Sequence, residues 1–266
     1  MRQRLGQHFL TRGAVIHKIL MNLQLQSNDS VLEIGPGRGA LTLPLAKKVA
    51  KLLLVEKDPR LFQGMVDRFK DEPQVQILNR DFLDLDKEEL RGLLGEEFKV
   101  VSNLPYQVST AILVKLLKEV PLGTSMILMF QKEVADRLLA KPHTKAYGSL
   151  TIVVQSLATL RQVCVVPPSA FNPPPNVYSA VLSFRVRETP CLPPAEQDRF
   201  EKLLHEGFKQ RRKMLRQLLR PSFAGEKAEA VEARLRQVGA SEKARAEELS
   251  LEQWLALFQQ LNPQPS

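Results

Sequence analysis

Val31-Leu32-Glu33-Ile34-Gly35-Pro36-Gly37-Arg38-Gly39-Ala40-Leu41 runs from an apolar strand through three glycines toward a helix. Such a bend lets backbone approach a nucleotide-like ligand closely, because a Cβ there would collide with it. Twenty-one residues after Gly35 stands Glu56, closing the apolar run Leu52-Leu53-Leu54-Val55. A carboxylate in that place can accept from both hydroxyls of a ribose. Gly35-x-Gly37-x-x-Ala40 also satisfies a dinucleotide fingerprint, so on the glycines alone an NAD-dependent enzyme stays open.

Outward from the bend, short apolar runs alternate with amphipathic stretches, the pattern of an α/β fold with a mainly parallel sheet covered by helices on both faces. Strands are expected at Val31–Gly35, Leu52–Glu56, Val75–Leu78, Val100–Asn103 and Ser125–Phe130. Helices are expected at Ala40–Ala50, Pro59–Lys70 and Ser109–Glu119. Leu160–Val166 and Tyr178–Val186 read as a final pair of strands. Between them Asn172-Pro173-Pro174-Pro175-Asn176 cannot lie in a central strand, since proline has no donor for the ladder. Pro190, Pro193 and Pro194 mark a linker, which predicts a catalytic domain over 1–190 and a small, charged, helical domain over 191–266.

The chain has 266 residues, with 38 Lys and Arg against 29 Asp and Glu, a net charge of +9. That excess suits a polyphosphate partner or an anionic membrane. No apolar run approaches the roughly 20 residues that span a bilayer, and Met-Arg-Gln-Arg-Leu-Gly-Gln-His lacks the apolar core of a secretion signal, so a cytoplasmic protein off the membrane is expected. Two cysteines, Cys164 and Cys191, cannot build a disulfide framework or a Cys-rich zinc site. His8, His17, His143 and His205 show no ligand spacing, and no metal is expected.

Val100-Val101-Ser102-Asn103-Leu104-Pro105-Tyr106 is an apolar strand ending in four residues suited to chemistry at the ligand-binding edge of such a sheet. An adenine exocyclic amine is a poor nucleophile because its lone pair is delocalised into the ring. Two acceptors holding its hydrogens favour the tetrahedral geometry that localises that pair. The Asn103 side-chain carbonyl and the Leu104 backbone carbonyl can supply them, Pro105 restricts Leu104 to extended backbone, and Tyr106 offers a face to a flipped base. A sulfonium methyl donor needs only positioning, not a strong base. Asp81, after the third strand, could accept from the amine of a cofactor adenine. Phe200 to Arg220 carries apolar residues at helical spacing. On that helix Lys209, Arg212, Lys213, Arg216 and Arg220, at offsets 0, 3, 4, 7 and 11, would form one stripe for duplex phosphates.

Leu5-Gly6-Gln7-His8-Phe9-Leu10, Glu33-Ile34-Gly35-Pro36-Gly37-Arg38-Gly39, Asn103-Leu104-Pro105-Tyr106, Gln131-Lys132-Glu133-Val134-Ala135, Lys145-Ala146-Tyr147-Gly148, Pro167 through Val177 and Phe208-Lys209-Gln210-Arg211-Arg212-Lys213 together resemble the bacterial small-subunit rRNA adenine dimethyltransferases of the KsgA type. The resemblance runs nearly end to end. It implies a class I, Rossmann-like S-adenosylmethionine-dependent methyltransferase domain with a small helical C-terminal domain. It also implies cofactor contacts at His8, Leu10, Gly35, Gly37, Glu56, Asp81 and Asn103, and Tyr106 and Phe171 as the aromatic pair around the target adenine. The implied reaction puts two methyl groups on each of two adjacent adenosines near the 3′ end of 16S rRNA, in a pre-30S particle during ribosome biogenesis, by a monomer. The chain departs from many members at His8, where they carry Asn, and at Arg80, where they carry Gly. The large-subunit type that shares Asn-x-Pro-Tyr, and a ribosome-assembly factor without catalysis, remain the competing readings.

Overall fold

The computed structural model describes residues 8–223 and 227–261, so Leu5, Gly6 and Gln7 of the N-terminal motif lie outside the described residues. In chain order the elements are β1 (Phe9–Leu10), α1 (Gly13–Leu23), β2 (Ser30–Ile34), α2 (Thr42–Ala46), β3 (Lys51–Val55), α3 (Pro59–Phe69), β4 (Val75–Leu78), α4 (Lys87–Leu94), β5 (Lys99–Asn103), α5 (Ser109–Glu119) and β6 (Ser125–Gln131). Then follow α6 (Lys132–Leu138), α7 (Ser149–Leu157), β7 (Ala158–Val166), β8 (Phe171–Asn172), β9 (Ser179–Val186), α8 (Pro194–Phe208), α9 (Leu215–Leu218), α10 (Ala228–Gln237) and α11 (Leu251–Gln259).

Seven strands form one sheet in the order β4-β3-β2-β5-β6-β9-β7; the first five are parallel, and β9 runs antiparallel to both its neighbours. Leu52, Leu53, Leu54, Val100 and Val101 are fully buried, which is why these strands read as unbroken apolar runs rather than alternating ones. The order reverses between β2 and β5, the place where open α/β sheets bind ligands beyond the carboxyl ends of their strands. Val15, Ile19 and Leu23 of α1 pack with Val31, Leu52, Val101, Ile127 and Val181 in the core.

Contacts divide the chain into two compact units, one running to Ala135 and resuming over Ala158–Glu188, the other made of Asp136–Leu157 and the residues from Thr189 onward. The sequence-based division at 190 put residues 136–157 with the catalytic part; by contacts they cluster with the later helices, because α7 packs on α8 and α11. The helix expected over Ala40–Ala50 shrinks to Thr42–Ala46. Gly37 and Gly39, with φ of +59° and +81°, keep the chain turning up to Leu41, and the N–H groups of Ala50 and Lys51 turn to the Asp29 carbonyl to start β3. No helix among the described residues is long and apolar enough to cross a membrane.

Candidate active site

The bend after β2 is built from glycine because its backbone is left-handed: φ is +64° at Gly35 and +59° at Gly37. Gly35 N–H donates to the Val55 carbonyl (2.9 Å), which pins the bend to the end of β3. A Cβ on Gly37 would stand 3.1 Å from the Phe9 ring, and the Arg38 guanidinium covers that ring at 4.4 Å. Glu56, 5 % exposed, accepts from Gly37 N–H on Oε2 (3.3 Å) and from Asp58 N–H on Oε1 (2.9 Å). Burial pushes its pKa up, while the N–H groups of Asp58 and Gly37 pull the other way. A carboxylate has about four acceptor sites, so those two bonds leave capacity for a diol.

Glu33, just before the bend, is 2 % exposed and accepts the Thr42 hydroxyl on Oε2 (2.7 Å). Burial, against the pull of that hydrogen bond and helped by the charge of Glu56, pushes its pKa up to about 8. Asp81 takes Leu83 N–H on Oδ1 (3.0 Å) and the Lys57 ammonium on Oδ2 (2.5 Å). Burial opposes ionisation, but the Lys57 hydrogen bond, the Leu83 N–H and the Lys57 charge together hold this carboxyl below its ordinary value. Arg80 donates to Glu89 (2.6 Å) and to the Asp84 carbonyl (2.9 Å), bracing the loop that carries Asp81.

On the neighbouring strand Ser102 Oγ donates to the Ile34 carbonyl (2.6 Å), and the Pro105 ring lies 3.9 Å from where a Gly35 Cβ would stand. The tetrapeptide therefore abuts the glycine bend. Asn103 Nδ2 donates to the His8 carbonyl (3.2 Å), which turns Oδ1 away as an acceptor with no partner among the described residues. Tyr106 Oη is 2.7 Å from Ser179 Oγ; burial raises the phenol pKa and that hydrogen bond lowers it. The His8 ring stacks on Tyr106 (centroids 5.9 Å apart, 28° between planes), and its Nδ1 donates to the Pro173 carbonyl (2.8 Å). Leu10 pairs with Phe171 across β1 and β8, and both are 4 % exposed in the core. The pair of aromatic faces expected from Tyr106 and Phe171 is thus only half presented, since the β1 pairing covers Phe171.

The model of the family "Ribosomal RNA adenine dimethylase" matches residues 1–263. The chain belongs to this family. It is 42% identical to the ribosomal RNA small subunit methyltransferase A of Picosynechococcus sp., over 99% of this chain and 98% of that one. To the same-named protein of Geobacter metallireducens it is 39% identical, over 96% and 94%. Among solved structures it is similar to a dimethyladenosine transferase from Plasmodium falciparum (TM-score 0.83, 26% identity, 96% of this chain and 98% of that one). It is also similar to the 23S rRNA methyltransferase ErmE (TM-score 0.73, 28% identity, 96% and 99%). The protein is a class I, Rossmann-like, S-adenosylmethionine-dependent rRNA adenine dimethyltransferase with a C-terminal helical region. The NAD reading of the glycines falls with that assignment.

The residues of this dimethylase fit the adenosyl sulfonium donor. Left-handed glycines that exclude a Cβ, a buried carboxylate with unspent acceptor sites and a second acid after β4 meet at one sheet edge. Ser102, Ser179 and Lys57 were not singled out from sequence. Ser102 and Ser179 are polar residues within or entering apolar strands, and that was the available signal.

In the second unit, the helix expected from Phe200 to Arg220 does not form: α8 ends at Phe208, Met214 is extended, and α9 spans only Leu215–Leu218. The chain leaves the helical path so that Arg211 can donate to Glu247 (Nε 3.0 Å, Nη2 2.5 Å) and to the carbonyls of Lys145 (2.9 Å) and Tyr147 (3.3 Å). It also lets Leu215 and Leu219 become fully buried. Tyr147, 1 % exposed, donates its hydroxyl to the Leu249 carbonyl (2.9 Å). The expected single stripe of cations is therefore broken. Lys209 lies 3.8 Å from Glu206, Arg216 is paired with Glu232, Arg212 and Lys213 are exposed on the turn, and Arg220 is exposed beyond α9.

Proposed function

We propose that this dimethylase places two methyl groups on N6 of each of two adjacent adenosines near the 3′ end of 16S rRNA, acting as a cytoplasmic monomer on a pre-30S particle. The observation that carries the reading is the Oδ1 of Asn103, without a partner among the described residues, aimed by the His8 carbonyl and set against the glycine bend through Pro105. The small-subunit substrate follows the relatives named above, whose identities of 42% and 39% exceed the 28% to ErmE. His8, Leu10, Gly35, Gly37, Glu56, Asp81 and Asn103 border the cofactor, with Glu56 accepting from the ribose and Asp81 from the adenine amine. S-adenosylmethionine supplies a methyl group already activated by its sulfonium charge.

The rest is positioning by the chain. Asn103 Oδ1 and the Leu104 carbonyl accept the two hydrogens of the target amine, so its lone pair turns out of conjugation. Formation of the N–C bond would be matched by cleavage of the donor's sulfur–methyl bond, leaving a neutral thioether; one of those hydrogens then leaves as a proton to solvent, and Asn103 needs no basicity for this. Tyr106, held between Ser179 and His8, gives the extruded base a fixed face. Cations after α8 hold phosphates and so fix register without reading sequence.

Purified protein with labelled S-adenosylmethionine and immature 30S particles is expected to yield dimethyladenosine at two neighbouring positions. Asn103→Ala is expected to lower the rate about 10³-fold, the scale of losing a preorganised polar contact to the reacting group, while particle binding persists. Methylation by Asn103→Ala at the wild-type rate would overturn the assignment.

A further inference from the structure

Of the sixteen Phe, Tyr and Trp side chains in the chain, fifteen are buried or partly buried; Tyr178 alone is exposed, at 55 %. It stands at the active edge. Ser179, the next residue, starts β9 opposite Gln131 at the end of β6 and carries the hydroxyl that binds Tyr106. Two other large apolar side chains left exposed, Val177 (44 %) and Val108 (39 %), flank the same Tyr106–Ser179 hydrogen bond in sequence. Single exposed apolar residues are ordinary; Tyr178 is set apart as the exposed aromatic next in sequence to the hydroxyl that holds Tyr106.

We infer that Tyr178 is a stacking platform for the nucleobase next to the target adenosine; the inference rests on the function proposed above. Swinging one base out of a strand strips its neighbour of a stacking partner and leaves a bare π-face. An aromatic ring covers such a face whatever the base. The ring stands on rigid backbone: the Tyr178 carbonyl accepts Lys132 N–H (2.8 Å), and Ser179 is paired on both sides, to Gln131 and Val166. With only two side-chain torsions to fix, little entropy is lost on stacking. A platform of this kind acts on substrate affinity and leaves the methyl-transfer step alone.

The test uses full-length wild type, Tyr178→Ala and Tyr178→Phe with immature 30S particles. Tyr178→Ala is expected to raise KM for particles about tenfold, the scale of one base–aromatic stack. Its kcat and its S-adenosylmethionine Kd are expected to stay within twofold of wild type, and Tyr178→Phe to restore KM. A synthetic hairpin RNA with 2-aminopurine beside the target adenosine reports the stack itself: wild type quenches its fluorescence and Tyr178→Ala does not. Unchanged KM in Tyr178→Ala, failure of Phe to rescue, or equal quenching by both proteins would overturn the inference while leaving the proposed function standing. Wild type inactive on particles would overturn both.

Discussion

The carboxyl edge of the parallel strands and the turn after α8 both gather charged groups around main-chain atoms, yet they differ in what remains unspent. At the sheet edge Glu56 accepts two N–H groups and keeps further acceptor sites, and Asn103 ties up its amide donor while its Oδ1 has no partner among the described residues. At the turn, Arg211 makes four hydrogen bonds to Glu247 and two carbonyls, and little of its donor capacity is left. The first arrangement keeps acceptors unspent, at an electrostatic cost to the fold. The second is finished, and works as a structural joint.

Glu33 is where that cost is measurable, and there the largest effect on stability is expected. Burial pushes its folded pKa up to about 8, from the 4.5 of an ordinary glutamate. Below about pH 4.5 the group is neutral in both states and costs nothing. As pH rises, the unfolded chain releases this proton while the folded chain keeps it, so stability falls by about 1.4 kcal/mol per pH unit and levels off above about 8. The ceiling is roughly 5 kcal/mol. Glu33→Gln removes the proton linkage and can still accept from Thr42, so denaturant unfolding at pH 5, 7 and 9 should show a flatter profile than wild type. Parallel profiles would mean the edge carries no such burden.

Arg211→Ala breaks the joint instead. The expected loss is about 1–2 kcal/mol in urea unfolding, because the Glu247 pair is partly exposed and its ionic share small, while two carbonyls lose a charged donor. Arg211→Lys should recover little, since an ammonium cannot bridge a carboxylate and two separate carbonyls. Full stability in the alanine variant would make this Arg as free as its neighbours.

The same contrast explains what was legible in advance. The strands of the seven-stranded sheet fell within about two residues of expectation because buried strands declare themselves as apolar runs, whereas the two-residue β1 and β8 gave no such signal; Glu56 and Asn103 were legible because they end such runs. The turn after α8 was not. Residues 200–220 keep helical spacing, and what goes with the break is tertiary: Arg211 bonds Glu247, Lys145 and Tyr147, and Leu215 and Leu219 become buried. Nor did spacing reveal that His8 meets Pro173, or Tyr106 Ser179, since those partners are 165 and 73 positions apart. An aromatic before prolines reads as a packing anchor, and only the family resemblance made Phe171 a base-stacking face; it is 4 % exposed within the core.

The smallest expected effect separates spent cations from free ones within a single charged run. Arg212 and Lys213 are exposed on the turn, with no side-chain partner among the described residues, whereas Arg216 is 29% exposed and paired with Glu232 at 14%. Each phosphate contact contributes close to one unit to the slope of log affinity against log salt. Neutralising Arg212 and Lys213 to Gln should therefore make that slope shallower by about 2 and weaken particle binding about fivefold at moderate salt, with cofactor affinity unchanged. Adding Arg216→Gln should leave the slope where it is and lower the unfolding midpoint, because Glu232 loses its cation. A slope that moves only when Arg216 is changed would put the phosphates on α9 and make the ion pair, not the turn, the RNA-facing element.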